Sequence, residues 1–168
     1  SDSKSIAASS YSGILVHFHL ETNRMSVRRG HRGPIACIVA GREPYQFFTG
    51  SNVGEVMEWD ARVTDQRTQV IKPLYPEDNH ASFTSLSYSP NGRFLLCGGR
   101  RYSLPGDPQA GCLFFYDTAD FSRRRWDTPD SVDFCKFSPD GQQVLWRERS
   151  VSGEATARRR SFVWQDLK

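Results

Sequence analysis

Apolar and polar positions alternate along this chain in short runs that a glycine opens and an aromatic closes. Gly54-Glu55-Val56-Met57-Glu58-Trp59-Asp60 sets the figure: a glycine, an aromatic five residues later, then an acid. The figure recurs as Gly111-Cys112-Leu113-Phe114-Phe115-Tyr116-Asp117 and, with His19 in the acid's place, from Gly13 to Phe18. Each copy predicts a half-buried strand, because period-two alternation puts apolar side chains on one face of a pleated segment. Trp164 continues the series of aromatics, with Arg159 where its glycine would stand; gaps of 41, 57 and 48 residues separate Phe18, Trp59, Tyr116 and Trp164.

Taken in order, Ile6–Ser10, Gly13–Leu20 and Arg24–Arg29 predict three strands of a first unit that lacks its opening strand. A loop, Gly30-His31-Arg32-Gly33-Pro34, leads to a second unit of four strands: Ile35–Ala40, Phe47–Gly50, Glu55–Asp60 and Gln66–Ile71. The turn-rich stretch from Pro73 to His80 precedes a third unit, opened by Phe83, Leu86 and Tyr88. Ser89-Pro90-Asn91-Gly92 follows, and Ser138-Pro139-Asp140-Gly141 repeats it 49 residues later. Proline fixes one φ of such a turn and glycine supplies the positive φ that the reversal needs. The strands before the two turns also match, Phe83, Leu86 and Tyr88 answering to Val132, Cys135 and Phe137. In the fourth unit Val132–Phe137 and Val144–Trp146 are followed by a long polar excursion to Arg160 and a last strand, Ser161-Phe162-Val163-Trp164. Strand-borne repetition at this period predicts an all-β propeller-type array of antiparallel units.

Length sets one domain as the default, since a chain of 168 residues is long enough to bury a substantial core. Composition is that of a globular protein, and no apolar run approaches the roughly 20 residues that span a bilayer. Ser1-Asp2-Ser3-Lys4-Ser5 lacks the apolar core of a signal peptide, so an intracellular chain without a membrane segment is expected. Cys37, Cys97, Cys112 and Cys135 are widely spaced with no C-x-x-C pair, which argues for packed, reduced thiols rather than a metal or redox site. The net charge of +3 does not by itself announce a nucleic-acid binder.

Gly30-His31, Trp59-Asp60, Tyr116-Asp117 and the two Ser-Pro-Asn/Asp-Gly turns together resemble the WD-repeat family of β-propellers, over nearly the whole chain from about Ile6 to Leu167. The resemblance implies a partial propeller over residues 1–168, with approximate blades at 6–29, 30–72, 80–129 and 130–168. It further implies that His31 and Thr49 hydrogen-bond towards Trp59 inside the second blade, with an acid in the turn before Gly54 completing the network. Val53 stands there, so an incomplete network is expected. His80 has the same implied part in the third blade, where Cys97 replaces the hydroxyl and Tyr116 the tryptophan; Asp60, Asp117 and Trp164 complete the repeat positions. An incomplete ring exposes blade faces and strand edges. The remaining blades lie in sequence outside this chain or come from another chain.

Loops on one propeller face would gather Arg28, Arg29 and Arg32 with two long insertions, Arg100-Arg101-Tyr102 through Ala110 and Arg147 through Arg160, the latter holding Arg158-Arg159-Arg160. Arginine offers planar paired donors to carboxylate and phosphate, and Tyr102 a stacking surface for a base. Solvated surface is the plainer reading of such runs, and Glu77, Asp78, Asp107, Glu148 and Glu154 dilute the patch. Arg123-Arg124-Arg125 falls on an outer strand, where it covers a blade edge with charge. His17 and His19 share one face of a strand, a spacing compatible with two metal ligands, but no third is placed nearby. Phosphate-cradling glycine motifs, a Ser-His-Asp order and paired carboxylates are all missing. The expectation is a non-catalytic scaffold without cofactors that binds protein partners in an intracellular multiprotein complex. The alternative is an RNA- or DNA-associated propeller that holds phosphate on its arginine-rich face.

Overall fold

The computed structural model describes residues 4–62, 70–71, 81–101, 110–120, 122–150 and 154–161. The described residues form fourteen strands and no helix. They are β1 (Ser5–Ser9), β2 (Ile14–His19), β3 (Arg24–Arg29), β4 (Ile35–Ala40), β5 (Gln46–Ser51), β6 (Val56–Asp60), β7 (Val70–Ile71), β8 (Ala81–Tyr88), β9 (Phe94–Arg101), β10 (Gly111–Asp117), β11 (Arg123–Thr128), β12 (Ser131–Phe137), β13 (Gln143–Arg149) and β14 (Ala155–Ser161). Each pairs antiparallel with its sequence neighbour in four separate sheets, β1-β2-β3, β4-β5-β6-β7, β8-β9-β10-β11 and β12-β13-β14. This is an all-β chain of propeller blades in an incomplete ring.

The blades stack through three apolar layers, and the sequence alternation decides which residue enters which layer. Phe47, Met57 and Trp59 of the second blade face back to Leu15 of the first. Phe48 and Val56, one step along the same strands, face forward to Phe83, Leu95, Cys97, Phe114 and Tyr116 of the third. Phe94, Leu96, Leu113 and Phe115 point the other way and meet Val132, Cys135, Val144 and Trp146 of the fourth. The middle strands β9 and β10 are therefore buried on both faces along most of their length, which is why they read as nearly continuous apolar runs. Close approach is required at Gly98, where a Cβ would stand 2.7 Å from Val132 of the next blade.

The inner strands β8 and β12 are joined by side chains rather than by a ladder. Thr84 donates its hydroxyl to the Val132 carbonyl at 2.6 Å. The Cys135 and Phe137 amides donate to the hydroxyls of Ser85 and Ser87, each at 3.0 Å. Hydroxyl groups thus satisfy the free edge of β12, whose backbone would otherwise stand unpaired at the seam. Both Ser-Pro turns form as their composition predicts, with Gly92 and Gly141 at φ 72° and 70°.

The two terminal blade faces differ. On the first blade Phe18 lies opposite both Ile6 and Met25, and Val16 opposite Val27, an apolar patch of which Ile6, Met25 and Val27 are exposed. On the fourth, exposed Phe134 and Leu145 stand among the charged Lys136, Arg147 and Arg149, and Asp133 accepts from Arg147 at 2.7 Å and Arg149 at 2.9 Å.

The last strand differs from the sequence reading. The third strand of the fourth blade occupies Ala155–Ser161, where the sequence reading expects a polar excursion, because the polar run 155–161 pairs residue for residue with β13. Arg158, Arg159 and Arg160 are strand residues rather than part of a long insertion. Phe162, Val163 and Trp164 lie outside the described residues.

Candidate functional site

The best-defined polar assembly lies inside the second blade, at the end where the loop before β4 meets the β5–β6 turn. The Trp59 indole N–H donates to Thr49 Oγ1 at 2.7 Å, and Thr49 Oγ1 is 2.6 Å from His31 Nε2. His31 Nδ1 lies 3.3 Å from Glu55 Oε2. A carboxylate only accepts, so His31 carries its proton on Nδ1, and the Thr49 hydroxyl hands its own to Nε2. The chain then runs in one direction from Trp59 to His31, while His31 donates separately to Glu55. Glu55 also accepts the Arg32 backbone N–H at 2.9 Å and its guanidinium Nε at 2.6 Å.

The acid expected before Gly54 is therefore supplied after it, and the network is complete. The correction has a local cause. Gly54 turns the chain at φ 78°, and the Glu55 amide donates to Ser51 Oγ at 3.1 Å, so the first residue past the turn is aimed back at His31. Burial lowers the His31 pKa, outweighing the Glu55 carboxylate, which acts to raise it. Burial pushes Glu55 up, but its bonds to Arg32 and His31 together hold it below the usual carboxylate value. His31 is thus kept neutral and Glu55 charged.

Asp60 and Asp117 close the turns that follow their strands. Asp60 takes both Arg62 Nε and Nη2, the latter at 2.6 Å, and the Arg62 amide at 2.8 Å. Asp117 takes Arg93 Nε and the Ala119 amide, each at 3.0 Å.

Register carries the second-blade positions onto the other blades. Phe47 is opposite Trp59, Leu95 opposite Tyr116, and Val144 opposite Arg160. Cys97 and Tyr116 are buried in the apolar layer shared with the second blade. Burial pushes the Cys97 thiol well up, so it behaves as a small hydrophobe. In the fourth blade the position assigned to Trp164 belongs by register to Arg160, and the Thr49 position to Trp146. The Trp146 indole donates to Glu148 Oε1 at 2.8 Å, which also receives Arg158 Nε at 2.9 Å. Glu148 is 1% exposed, and its Oε2 has no partner among the described residues. The sequence reading misses Glu55 and counts Glu148 among the surface acids, whereas Glu148 is buried; the signal for it is its i, i+2 spacing from Trp146, which places both on one face of a strand. His80 and Tyr102 lie outside the described residues.

The arginines expected on one open face are distributed otherwise. Arg28 is buried, donating to the carbonyls of Asp60 at 2.6 Å and Ala61 at 3.0 Å, so it joins the first two blades and is not a surface ligand. Arg29 is exposed at the end of β3. Arg32 is exposed but paired with Glu55, and Arg158 with Glu148. Arg100 and Arg101 end β9, with Arg101 3.5 Å from Asp127. The side chains of Arg159 and Arg160 lie outside the described residues. Arg123, Arg124 and Arg125 fall on the outer strand β11.

His17 and His19 line one cavity, but no group of three metal-ligating side chains occurs among the described residues. A larger cavity of about 590 Å³ lies along the inner strands, bordered by Val39, Arg42, Tyr88, Phe134 and Lys136, and none of its described lining residues is Asp, Glu or His. Among the described residues no helix is long and apolar enough to cross a membrane.

No protein-family profile matches the chain, and no curated protein matches its sequence. The fold has solved counterparts. A chain in a crystal structure of the mitotic checkpoint complex superposes with a TM-score of 0.69 at 18% identity, over 92% of this chain and 46% of that one. This chain spans about half the length of that neighbour, and what the two share is the propeller fold.

Proposed function

We propose that this chain is part of a non-catalytic scaffold that holds protein partners in an intracellular multiprotein complex. The apolar outer face of the first blade carries the reading. Ile6, Val16, Phe18, Met25 and Val27 are contiguous across three strands, and a patch of this kind marks a protein contact. Further blades, or a second chain that supplies them, cover it. The solved neighbour comes from a protein complex, which supports the same reading.

Binding of RNA or DNA through the arginines is the weaker alternative. Several of those side chains are already engaged: Arg28 by backbone carbonyls, Arg32 by Glu55, Arg101 by Asp127 and Arg158 by Glu148. Paired guanidiniums add less to a phosphate field than free ones.

Native mass spectrometry of the assembly purified with its partners tests the proposal. The expected result is a complex well above 19.1 kDa that dissociates when Val27 is replaced by Lys, with the β-sheet content unchanged. A cooperative monomer at all concentrations contradicts it. Affinity for single-stranded RNA that falls steeply with salt transfers the function to the alternative.

A further inference from the structure

A second cavity, of about 250 Å³, opens between the first two blades at the end away from Glu55. Its lining includes Lys4, Ser5, His17, His19, Tyr45 and Arg62, and no acidic side chain among its described lining residues. Arg28 stands close behind His17, near enough that its charge, after burial itself, lowers the His17 pKa. His17 is 8% exposed and stacks on Phe47 with ring centroids 6.1 Å apart. Neither of its ring nitrogens has a hydrogen-bond partner among the described residues. A nearly buried imidazole whose ring nitrogens open onto a cavity lined by cations presents a geometry suited to an anion.

The other members are held for the same task. His19 Nδ1 accepts the Thr22 amide at 3.3 Å, so in the neutral ring Nε2 is the donor. Arg62 lies over the Tyr45 ring, 3.4 Å from its centroid. Lys4 pairs with Glu21, both well exposed, a contact weak enough for the cation to be shared with a ligand; Arg62 forks onto the half-buried Asp60 through Nε and Nη2, so a ligand takes only what that bidentate pair leaves open. The volume is below that of pockets for drug-sized molecules, which selects a single small group. Converging donors of this number suit a dianionic tetrahedral oxyanion better than a planar carboxylate.

We propose that the cavity between the first two blades binds a phosphoryl group, free or as a monoester, through Lys4, His17, His19 and Arg62. On entry of the anion His17 takes up a proton. The charged and titratable groups around it are Lys4, Glu21, His19, Arg28, Glu43, Tyr45, Asp60 and Arg62; Glu21 and Asp60 are the ion-pair partners of Lys4 and Arg62, so the anion shares each of these cations with a carboxylate.

The test is an NMR titration of the histidine ring protons of the full chain with inorganic phosphate and with O-phosphoserine, at constant ionic strength. The His17 signal is assigned by its loss in His17→Asn. The expected result is a saturable shift and a rise in the His17 midpoint of about one unit, the lower range for an opposite charge in contact. Both exposed cations can be removed without touching the core. In the Lys4→Ser/Arg62→Ser variant the affinity is expected to fall at least about tenfold, as for the loss of two charge-assisted bonds. Tighter binding of phosphoserine identifies a phosphorylated side chain as the natural ligand, and equal binding identifies free phosphate. The proposal is overturned if His17 does not respond, if chloride at matched ionic strength gives the same shift, or if the double variant binds as well as the parent.

Discussion

The second and third blades solve the same packing problem with opposite chemistry. In the second, Trp59, Thr49, His31 and Glu55 form a buried polar chain that ties the β5–β6 turn to the loop before β4. In the third, Cys97 and Tyr116 occupy the matching register positions inside an apolar layer with Leu95, Phe83 and Phe114. Directional bonds fix where the loop goes, at the cost of groups that must all be paired. Apolar packing tolerates change but specifies the loop less. The difference teaches that the blade geometry is set by stacking, and the polar chain adds placement of one loop.

Several substitutions would break or sharpen this contrast. The largest effect is expected from Trp59→Ala, about 3–5 kcal/mol for a fully buried tryptophan, read by chemical denaturation; a loss below about 1 kcal/mol contradicts its core role. Next is Glu55→Ala, which strands the His31 and Arg32 donors and should lower stability by about 2–4 kcal/mol. If Glu55→Ala proves neutral, the chain ends at His31 and the carboxylate is incidental. A matched pair comes third. Thr49→Val removes the hydroxyl between two donors or acceptors and should cost about 1–3 kcal/mol, whereas Cys97→Val should cost less than about 1.5 kcal/mol. Equal losses would erase the distinction between the blades.

The smallest effect is one of pH. Both His31 and Glu55 have folded pKa values below their ordinary ones, so the unfolded chain binds more protons and stability falls on acidification. The loss begins near pH 6.5 with the histidine and deepens below about 4.5 with the glutamate. His17, also lowered, adds to the first step in the neighbouring blade. Hydrogen exchange should therefore report opening of β5 and β6 at mildly acid pH before that of β9 and β10; the reverse order would refute the assignment.

Legibility followed the physical origin of each feature. The described strands of the first three blades are legible because alternation and the turn residues are local properties, and Ser89-Pro90-Asn91-Gly92 dictates its reversal without outside help; of the expected strand Gln66–Ile71 only Val70–Ile71 is described, the rest lying outside the described residues. β14 was misplaced because its residues are polar, and pairing with β13 rather than hydrophobicity makes it a strand. Glu55 was missed because a one-residue displacement around Gly54 is invisible until the turn's φ is known. Arg28 reads as surface from the sequence because charge is the usual sign of exposure, and only the three-dimensional approach of the Asp60 and Ala61 carbonyls makes burial tolerable. The fold was thus mostly readable, while the polar sites depended on contacts between distant segments.

The hydroxyls of Thr84, Ser85 and Ser87 lie in a row along the seam between β8 and β12, spaced so that each meets a different backbone group. A force that slides one blade past the other along that direction loads all of them together, whereas one that peels from an end loads them singly. The seam should therefore resist shear far better than peeling. Mechanical strength here is a property of the direction of pull, written by three small side chains.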